Sequence, residues 1–246
     1  MKCELSFYSH VLGKSVNVNV IYPNGGTEAP FKVLYLLHGL GDNYSFWSNR
    51  TTVETLVENT GLVVVMPDGD VSWYCDMNNG RKYFTYITQE LPGLIRSTFS
   101  NISGKREDTF IGGASMGGYG AFKAAMTYPE NYGKVFGFSS AVDMEDLLPW
   151  IDRTIMENAW GPMEEAMKSE HSSYILADKL KKSGKNPPSM YMWCGFDDFL
   201  YNSSVKFSNH LKELGMPIEY RESDGNHDWP CWDRELKTVL KEFLLK

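Results

Sequence analysis

The sequence contains no apolar run long enough to cross a membrane. Runs such as 33–37 and 62–66 have the length of a strand, well short of the ~20 residues that a membrane-spanning helix needs. Residues 1–6 also lack the apolar core of a signal peptide. These absences predict a cytoplasmic protein that has no membrane partner.

Cysteine is scarce, with four residues at Cys3, Cys75, Cys194 and Cys231. They are scattered and show neither the spacing of a metal site nor the pattern of a disulfide framework. The chain also lacks the H-E-x-x-H motif of zinc proteases and the glycine-rich P-loop of nucleotide enzymes. We therefore predict reduced thiols, no bound metal and no other cofactor.

Basic residues are fewer than acidic ones: 24 Lys and Arg residues and 31 Asp and Glu residues give a net charge of -7. This balance argues against a nucleic-acid-binding surface. The apolar fraction of 42% and the charged fraction of 22% are ordinary for a soluble globular protein. Because no linker, repeat or low-complexity segment divides the 246 residues, we expect a single domain spanning residues 1–246.

Strand and helix patterns alternate along the chain. Residues 15–22 alternate in polarity, and together with residues 4–8 they predict an antiparallel hairpin at a sheet edge. Residues 31–37 and 62–66 are nearly all apolar, which is typical of parallel strands buried on both faces. The alternation predicts an α/β fold with a mostly parallel central sheet and helices on both faces.

Two segments fall outside this alternation. Pro23 and the Asn-Gly-Gly that follows it predict a turn at 23–26. Residues from about 143 to 188 are polar and show no strand pattern, which predicts a small helical insertion. Such a segment can cover a small pocket, but it offers no long apolar groove for a fatty chain.

The stretch 109–120 contains Gly113-Ala114-Ser115-Met116-Gly117, which fits the G-x-S-x-G turn that carries the nucleophile in α/β-hydrolases. A serine held clear at the end of a strand requires a sharp turn, and small residues on either side let the strand and the following helix pass closely. A strand pattern precedes this serine and a helix pattern follows it. We therefore predict that Ser115 is a nucleophile.

Further polar residues follow other predicted strands, and the carboxyl ends of parallel strands meet at one edge of a sheet. His227 follows the last strand and is the candidate base for Ser115. Asp197 and Asp198 follow the strand before it, and either could orient the imidazole, because adjacent residues on an extended loop point in opposite directions. The chain order of serine, acid and histidine is that of an α/β-hydrolase triad.

An ester-cleaving site also needs two backbone N–H groups to stabilise the oxyanion. The N–H of Met116, directly after the nucleophile, is one candidate, and the N–H of Leu40, in the loop after a buried strand, is the other. His38 lies in the same loop, and we expect it to form structural hydrogen bonds.

Aromatic residues cluster near the predicted loops around the site. Trp47, Trp73, Tyr74 and Tyr119 could form the wall of an acyl or aromatic pocket, and ordinary packing of the loops against the sheet is an equal alternative. Trp229 and Trp232 closely follow the candidate histidine, and we expect them to pack the last helix.

Four motifs occur in the order of a known family: LLHGLGDN at 36–43, GASMGGYG at 113–120, CGFDDFLY at 194–201 and GNHDW at 225–229. Their combination resembles the esterase D and tributyrin esterase family, whose relatives include S-formylglutathione hydrolases and feruloyl and acetyl esterases. The tributyrin esterase branch is the most similar. The resemblance covers nearly the whole chain and is weakest over 143–188.

The resemblance implies an α/β-hydrolase fold and a carboxylic ester hydrolase with small substrates. It implies a triad of Ser115, Asp198 and His227, so it selects Asp198 over Asp197, and it implies an oxyanion hole at Leu40 and Met116. We expect acetyl to butyryl esters as substrates and hydroxycinnamoyl esters as a second class.

Three other functions stay open at the level of sequence. An S-formylglutathione hydrolase or other thioesterase, and an acyltransferase, would use the same triad, since an acyl-enzyme can pass its acyl group to water, an alcohol or a thiol. An inactive binding protein on a hydrolase scaffold is a more remote alternative. The expected partner is a small-molecule ester, and a homo-oligomer is compatible with an edge hairpin.

Overall fold

The computed structural model describes residues 1–23 and 28–246. The turn predicted at 23–26 therefore falls, apart from Pro23, outside the described residues. One eight-stranded sheet runs through the described part of the chain. Its strands are β1 (Lys2–Ser9), β2 (Lys14–Ile21), β3 (Lys32–Leu37), β4 (Leu62–Pro67), β5 (Thr109–Ala114), β6 (Lys134–Phe138), β7 (Ser189–Gly195) and β8 (Ile218–Ser223).

The strands are ordered β1-β2-β4-β3-β5-β6-β7-β8 across the sheet. β2 pairs antiparallel with both β1 and β4, whereas every pair from β4 to β8 is parallel. The predicted mostly parallel sheet with an N-terminal antiparallel edge hairpin is confirmed.

Helices connect the parallel strands and surround the sheet. They are α1 (Phe46–Arg50), α2 (Val53–Leu56), α3 (Tyr83–Thr85), α4 (Leu91–Thr98), α5 (Met116–Thr127), α6 (Met144–Leu147), α7 (Arg153–Trp160), α8 (Met163–Ala166), α9 (Ser173–Ser183), α10 (Tyr201–Glu213) and α11 (Trp229–Val239). A π-helical turn, Tyr86–Glu90, joins α3 to α4, a second, Leu240–Leu244, extends α11, and Arg106–Asp108 form a short 3-10 helix. None of the helices in the described ranges combines the length and the apolar character needed to traverse a bilayer.

The insertion predicted at about 143–188 is helical, because α6 to α9 occupy the segment between β6 and β7. Both faces of the sheet are covered by hydrophobic clusters, as the predicted pattern of buried parallel strands requires. In β3, Leu34 and Leu36 face the cluster that contains α11, while Val33, Tyr35 and Leu37 face the cluster that contains α5.

Candidate active site

Ser115 lies at the sharp turn between β5 and α5, at the carboxyl edge of the sheet. Its backbone has φ of 56° and ψ of -119°, a conformation that residues other than glycine rarely adopt. The Ser115 N–H donates to the Phe138 carbonyl at the end of β6, at 2.9 Å, which ties the turn to the neighbouring strand. The half-buried side chain lines an open cavity.

Glycines on either side of Ser115 allow β5, β3 and α5 to approach closely. A Cβ atom at Gly113 would lie 2.5 Å from the Leu37 carbonyl oxygen, and one at Gly117 would lie 2.2 Å from the same atom. Both distances are shorter than any tolerated contact, and the obstructing atom belongs to the backbone of β3. The two outer glycines of the motif are thus required by packing.

The Gly117→Ala substitution should lower the free energy of unfolding by about 1–3 kcal/mol, because the added methyl group overpacks the contact with β3. Gly93→Ala is the matched control, since Gly93 lies in α4 and a Cβ there meets no atom within 4 Å. The control should be neutral or slightly stabilising. Urea denaturation of both variants measures the difference, and equal stability of the two would contradict this packing argument.

Two backbone N–H groups lie next to the serine. Met116 is the first residue of α5, where an N–H group has no partner within its helix, and Leu40 follows Gly39 in the loop after β3. Across the described residues, neither N–H donates to a backbone carbonyl. A Cβ at Gly39 would lie 3.7 Å from the Ser115 Cβ, so the β3 loop passes directly beside Ser115.

His38 holds the β3 loop in place. Its buried ring donates from Nδ1 to the Gly39 carbonyl at 2.8 Å and accepts at Nε2 from the Gly69 N–H at 2.8 Å. These two partners fix the neutral tautomer that carries its proton on Nδ1. His38 thus forms the structural hydrogen bonds expected of it.

His227 and Asp198 are in direct contact. The His227 Nδ1 lies 3.1 Å from both carboxylate oxygens of Asp198, and this carboxylate has no exposed surface. Asp197 is exposed, and its N–H donates to the Gly225 carbonyl at 3.0 Å. The carboxylate that contacts the imidazole is therefore the one belonging to Asp198.

The surroundings of Asp198 favour its ionised form. Burial alone would raise the pKa of this carboxyl. Hydrogen bonds from His227, from the Ser139 side chain and from the Leu200 N–H outweigh that effect, so the pKa lies below its usual value. The Leu200 N–H lies 2.8 Å from Oδ1. Ser139, which follows β6 and also accepts from the Trp232 indole N–H at 3.0 Å, is a supporting residue that the motifs did not reveal.

Ser115 and His227 open onto one cavity of about 410 Å³. Its walls come from the β3 loop, the end of α1 and the start of α11. The lining residues are Gly39, Leu40, Asp42, Arg50, Ser115, His227, Asp228, Trp229, Pro230 and Trp232. Trp229 and Trp232 do pack α11 as expected, but they also form part of the cavity wall.

Asp42 and Arg50 give this cavity a charged side that was not predicted from the sequence. Burial raises the pKa of the half-buried Asp42 carboxyl, although His38, the Gly39 backbone and Arg50 oppose the shift. The Arg50 guanidinium carbon lies 5.7 Å from the centre of the Phe46 ring. Asp42 lies within the HGLGD stretch, so this motif could have suggested it as a residue of the site. No local motif points to Arg50.

The four aromatic residues predicted to wall the pocket are buried and do not line this cavity. Trp47 donates its indole N–H to the Leu37 carbonyl at 2.9 Å and packs behind Trp229, with ring centres 4.9 Å apart. The Tyr74 hydroxyl donates to the His38 carbonyl at 3.1 Å. Trp73 and Tyr119 pack against each other beneath the insertion, with ring centres 6.0 Å apart. These contacts agree with the packing alternative, and a role of the four side chains in a substrate pocket stays a prediction.

The arrangement combines a serine on a strained turn, an imidazole oriented by a buried carboxylate, and two N–H groups beside the serine. These are the elements of nucleophilic acyl transfer. Within 1–23 and 28–246, no three His, Cys, Asp or Glu side chains are grouped as a metal site would require.

Comparison with known proteins gives consistent matches over the whole chain. A family model described as putative esterase matches residues 9–243. An acetyl esterase from Caldicellulosiruptor saccharolyticus is 32% identical over 256 aligned positions, which cover 97% of this chain and 96% of that protein.

Two solved structures from Staphylococcus aureus are also similar. The fluorophosphonate-binding serine hydrolase F, with substrate bound, has 31% identity and a TM-score of 0.93, and the match covers 100% of this chain and 98% of that one. The S-formylglutathione hydrolase FrmB, as apoenzyme, has 30% identity and a TM-score of 0.92, with 100% and 99% covered. The predicted α/β-hydrolase fold is confirmed.

Proposed function

This chain belongs to the esterase family, and we propose that within it the chain is a serine carboxylesterase that cleaves short-chain acyl esters through Ser115, His227 and Asp198. The observation that carries the proposal is the contact between the His227 Nδ1 and both oxygens of the buried Asp198, at 3.1 Å, beside the cavity shared with Ser115. This contact orients the imidazole so that Nε2 is left to accept a proton.

The proposed reaction has two steps. The Ser115 Oγ attacks the ester carbonyl carbon while its proton passes to the His227 Nε2, and the N–H groups of Leu40 and Met116 stabilise the oxyanion. The carbon–oxygen bond to the alcohol then breaks, and the alcohol oxygen takes the proton from His227. Water repeats the sequence on the acyl-enzyme, releasing the acid and restoring the serine hydroxyl.

The cavity supports a preference for short acyl groups. Its volume of about 410 Å³ is bounded by Trp229 and Trp232 and has charged groups at Asp42 and Arg50. A pocket of this kind gains free energy from each buried methylene, about 0.8 kcal/mol, only while the chain fits between its walls. Acetyl to butyryl groups are the substrates we propose.

A series of p-nitrophenyl esters from acetate to palmitate should show kcat/KM rising by up to about fourfold per methylene as far as butyrate. Beyond that length the value should fall steeply, because the additional carbons meet the cavity wall. All members of the series share one leaving group, so the profile reports on the acyl group alone. An optimum at decanoate or longer would contradict the proposed substrate range.

Thioesters and hydroxycinnamoyl esters are two further candidate substrate classes. The similarity to an S-formylglutathione hydrolase supports a thioester with an anionic thiol half as the second candidate. The ratio of kcat/KM for S-formylglutathione to that for p-nitrophenyl acetate distinguishes a thioesterase from an oxygen esterase. The second predicted substrate class, hydroxycinnamoyl esters, depended on an aromatic pocket wall. The side chains proposed for that wall do not line the cavity: Trp47, Trp73, Tyr74 and Tyr119.

The proposed location is a reducing compartment such as the cytoplasm. It is supported by Cys3, Cys75, Cys194 and Cys231, which are all free thiols.

A further inference from the structure

A surface tryptophan lies beside the proposed catalytic histidine. Trp150 belongs to the insertion, between α6 and α7, and is 61% exposed, more than any other large apolar side chain among the described residues. Its ring packs on Phe199, with centres 4.8 Å apart. Phe199 in turn packs on the imidazole of His227, with centres 4.6 Å apart.

Trp150 and Phe199 together form an aromatic ledge that continues the surface of the site beyond His227. Neither residue lines the cavity that Trp229 and Trp232 bound. Trp232 also contacts the imidazole, edge-on, with ring centres 5.1 Å apart. His227 is therefore contacted by two aromatic groups that belong to different surfaces, one in the cavity and one on the ledge.

The chemistry of ester cleavage assigns the two halves of a substrate to these surfaces. In the proposed function the acyl group occupies the cavity, and the carbonyl oxygen faces the N–H groups of Met116 and of Leu40, which lines that cavity. The leaving oxygen must come within hydrogen-bond reach of His227, because that residue protonates it. Whatever the leaving oxygen carries then projects past the imidazole, toward the ledge.

We propose that the ledge formed by Trp150 and Phe199 binds the alcohol half of the ester, and that this alcohol carries an aromatic or similarly flat apolar group. This inference rests on the proposed function, since it requires His227 to act on the leaving oxygen. A flat ring stacked on the ledge would cover apolar surface that is otherwise exposed to water. The ledge thus sets specificity for the leaving group, while the cavity sets specificity for the acyl group.

The test compares esters that share one acyl group. Wild type should show a higher kcat/KM for naphthylmethyl acetate than for ethyl acetate. Trp150→Ala should lower kcat/KM for naphthylmethyl acetate by about tenfold and leave ethyl acetate within about twofold. Trp150→Phe should retain most of the preference, because it keeps an aromatic face.

The controls separate the ledge from other roles of Trp150. Tyr8→Ala removes an exposed aromatic ring from β1, at the far edge of the sheet, and should leave both rates unchanged. Ethyl butyrate carries its additional apolar carbons on the acyl half, so its rate relative to ethyl acetate should not respond to Trp150→Ala. A response of ethyl butyrate, or an unchanged rate with naphthylmethyl acetate, would overturn the proposal.

Two further measurements keep this inference distinct from the proposed function. Naphthylmethanol should bind Ser115→Ala, and addition of Trp150→Ala should weaken that binding about tenfold, with no catalysis involved. Size-exclusion chromatography of Trp150→Ala reports the oligomeric state. A changed oligomeric state with an unchanged preference between the two acetates would make Trp150 a subunit contact and would refute the ledge.

Discussion

Replacement of Ser115 by alanine should lower kcat for p-nitrophenyl acetate by about a millionfold. In the proposed mechanism the hydroxyl oxygen attacks the ester carbon, and no other side chain in the cavity offers a nucleophile in its position on the strained turn. Nucleophilic catalysis has no substitute once the attacking oxygen is removed. Initial rates of the purified variant, at high enzyme concentration, measure the loss.

The fold should survive this substitution. Ser115 makes its structural hydrogen bonds through its backbone, to the Phe138 carbonyl and from the Tyr119 and Ala141 N–H groups, and alanine keeps all three. The melting temperature should therefore match or exceed that of wild type. Retention of activity above about one part in a thousand, in protein free of wild-type contamination, would show that Ser115 is not the nucleophile.

Replacement of Asp198 by asparagine should lower kcat by about ten thousandfold. An amide can donate to Nδ1 and so stabilise the wrong imidazole tautomer, and it removes the charge that stabilises the imidazolium. Both Asp198 carboxylate oxygens lie 3.1 Å from the His227 Nδ1, so Asp198 is the group that accepts the hydrogen bond from this nitrogen.

Asp197→Asn is the matched control, since it makes the same chemical change one residue earlier. This side chain is exposed, so the variant should keep its rate within about twofold. Parallel kcat measurements, with circular dichroism to check folding, decide between the two carboxylates. A larger loss of kcat in the Asp197 variant than in the Asp198 variant would identify Asp197 as the acid of the triad.

The positions of the strands, and hence of the residues that follow them, could be predicted from the sequence. Buried parallel strands are short apolar runs, and their carboxyl ends lie at one edge of the sheet. Ser115, Asp198 and His227 follow β5, β7 and β8, and the fold alone brings them to that edge. The choice between Asp197 and Asp198 required the family motif, because strand position does not tell adjacent loop residues apart.

The orientation of the loop aromatics could not be predicted in the same way. Tyr74 has a positive φ of 49°, and its ring fills space left by two glycines, since a Cβ at Gly69 or Gly120 would lie 2.3 Å or 2.6 Å from it. Such enclosure depends on residues distant in sequence. Nor does any local pattern show that Arg50 would reach the cavity or that Trp150 would pack on Phe199.

A fluorophosphonate that labels the wild-type protein, with the adduct mapped by peptide mass spectrometry, tests whether Ser115 is the activated nucleophile of a serine esterase. We predict one adduct, on the peptide that contains Ser115, formed in step with the loss of esterase activity. An adduct on a different residue, or an esterase that stays fully active and unlabelled, would contradict the account.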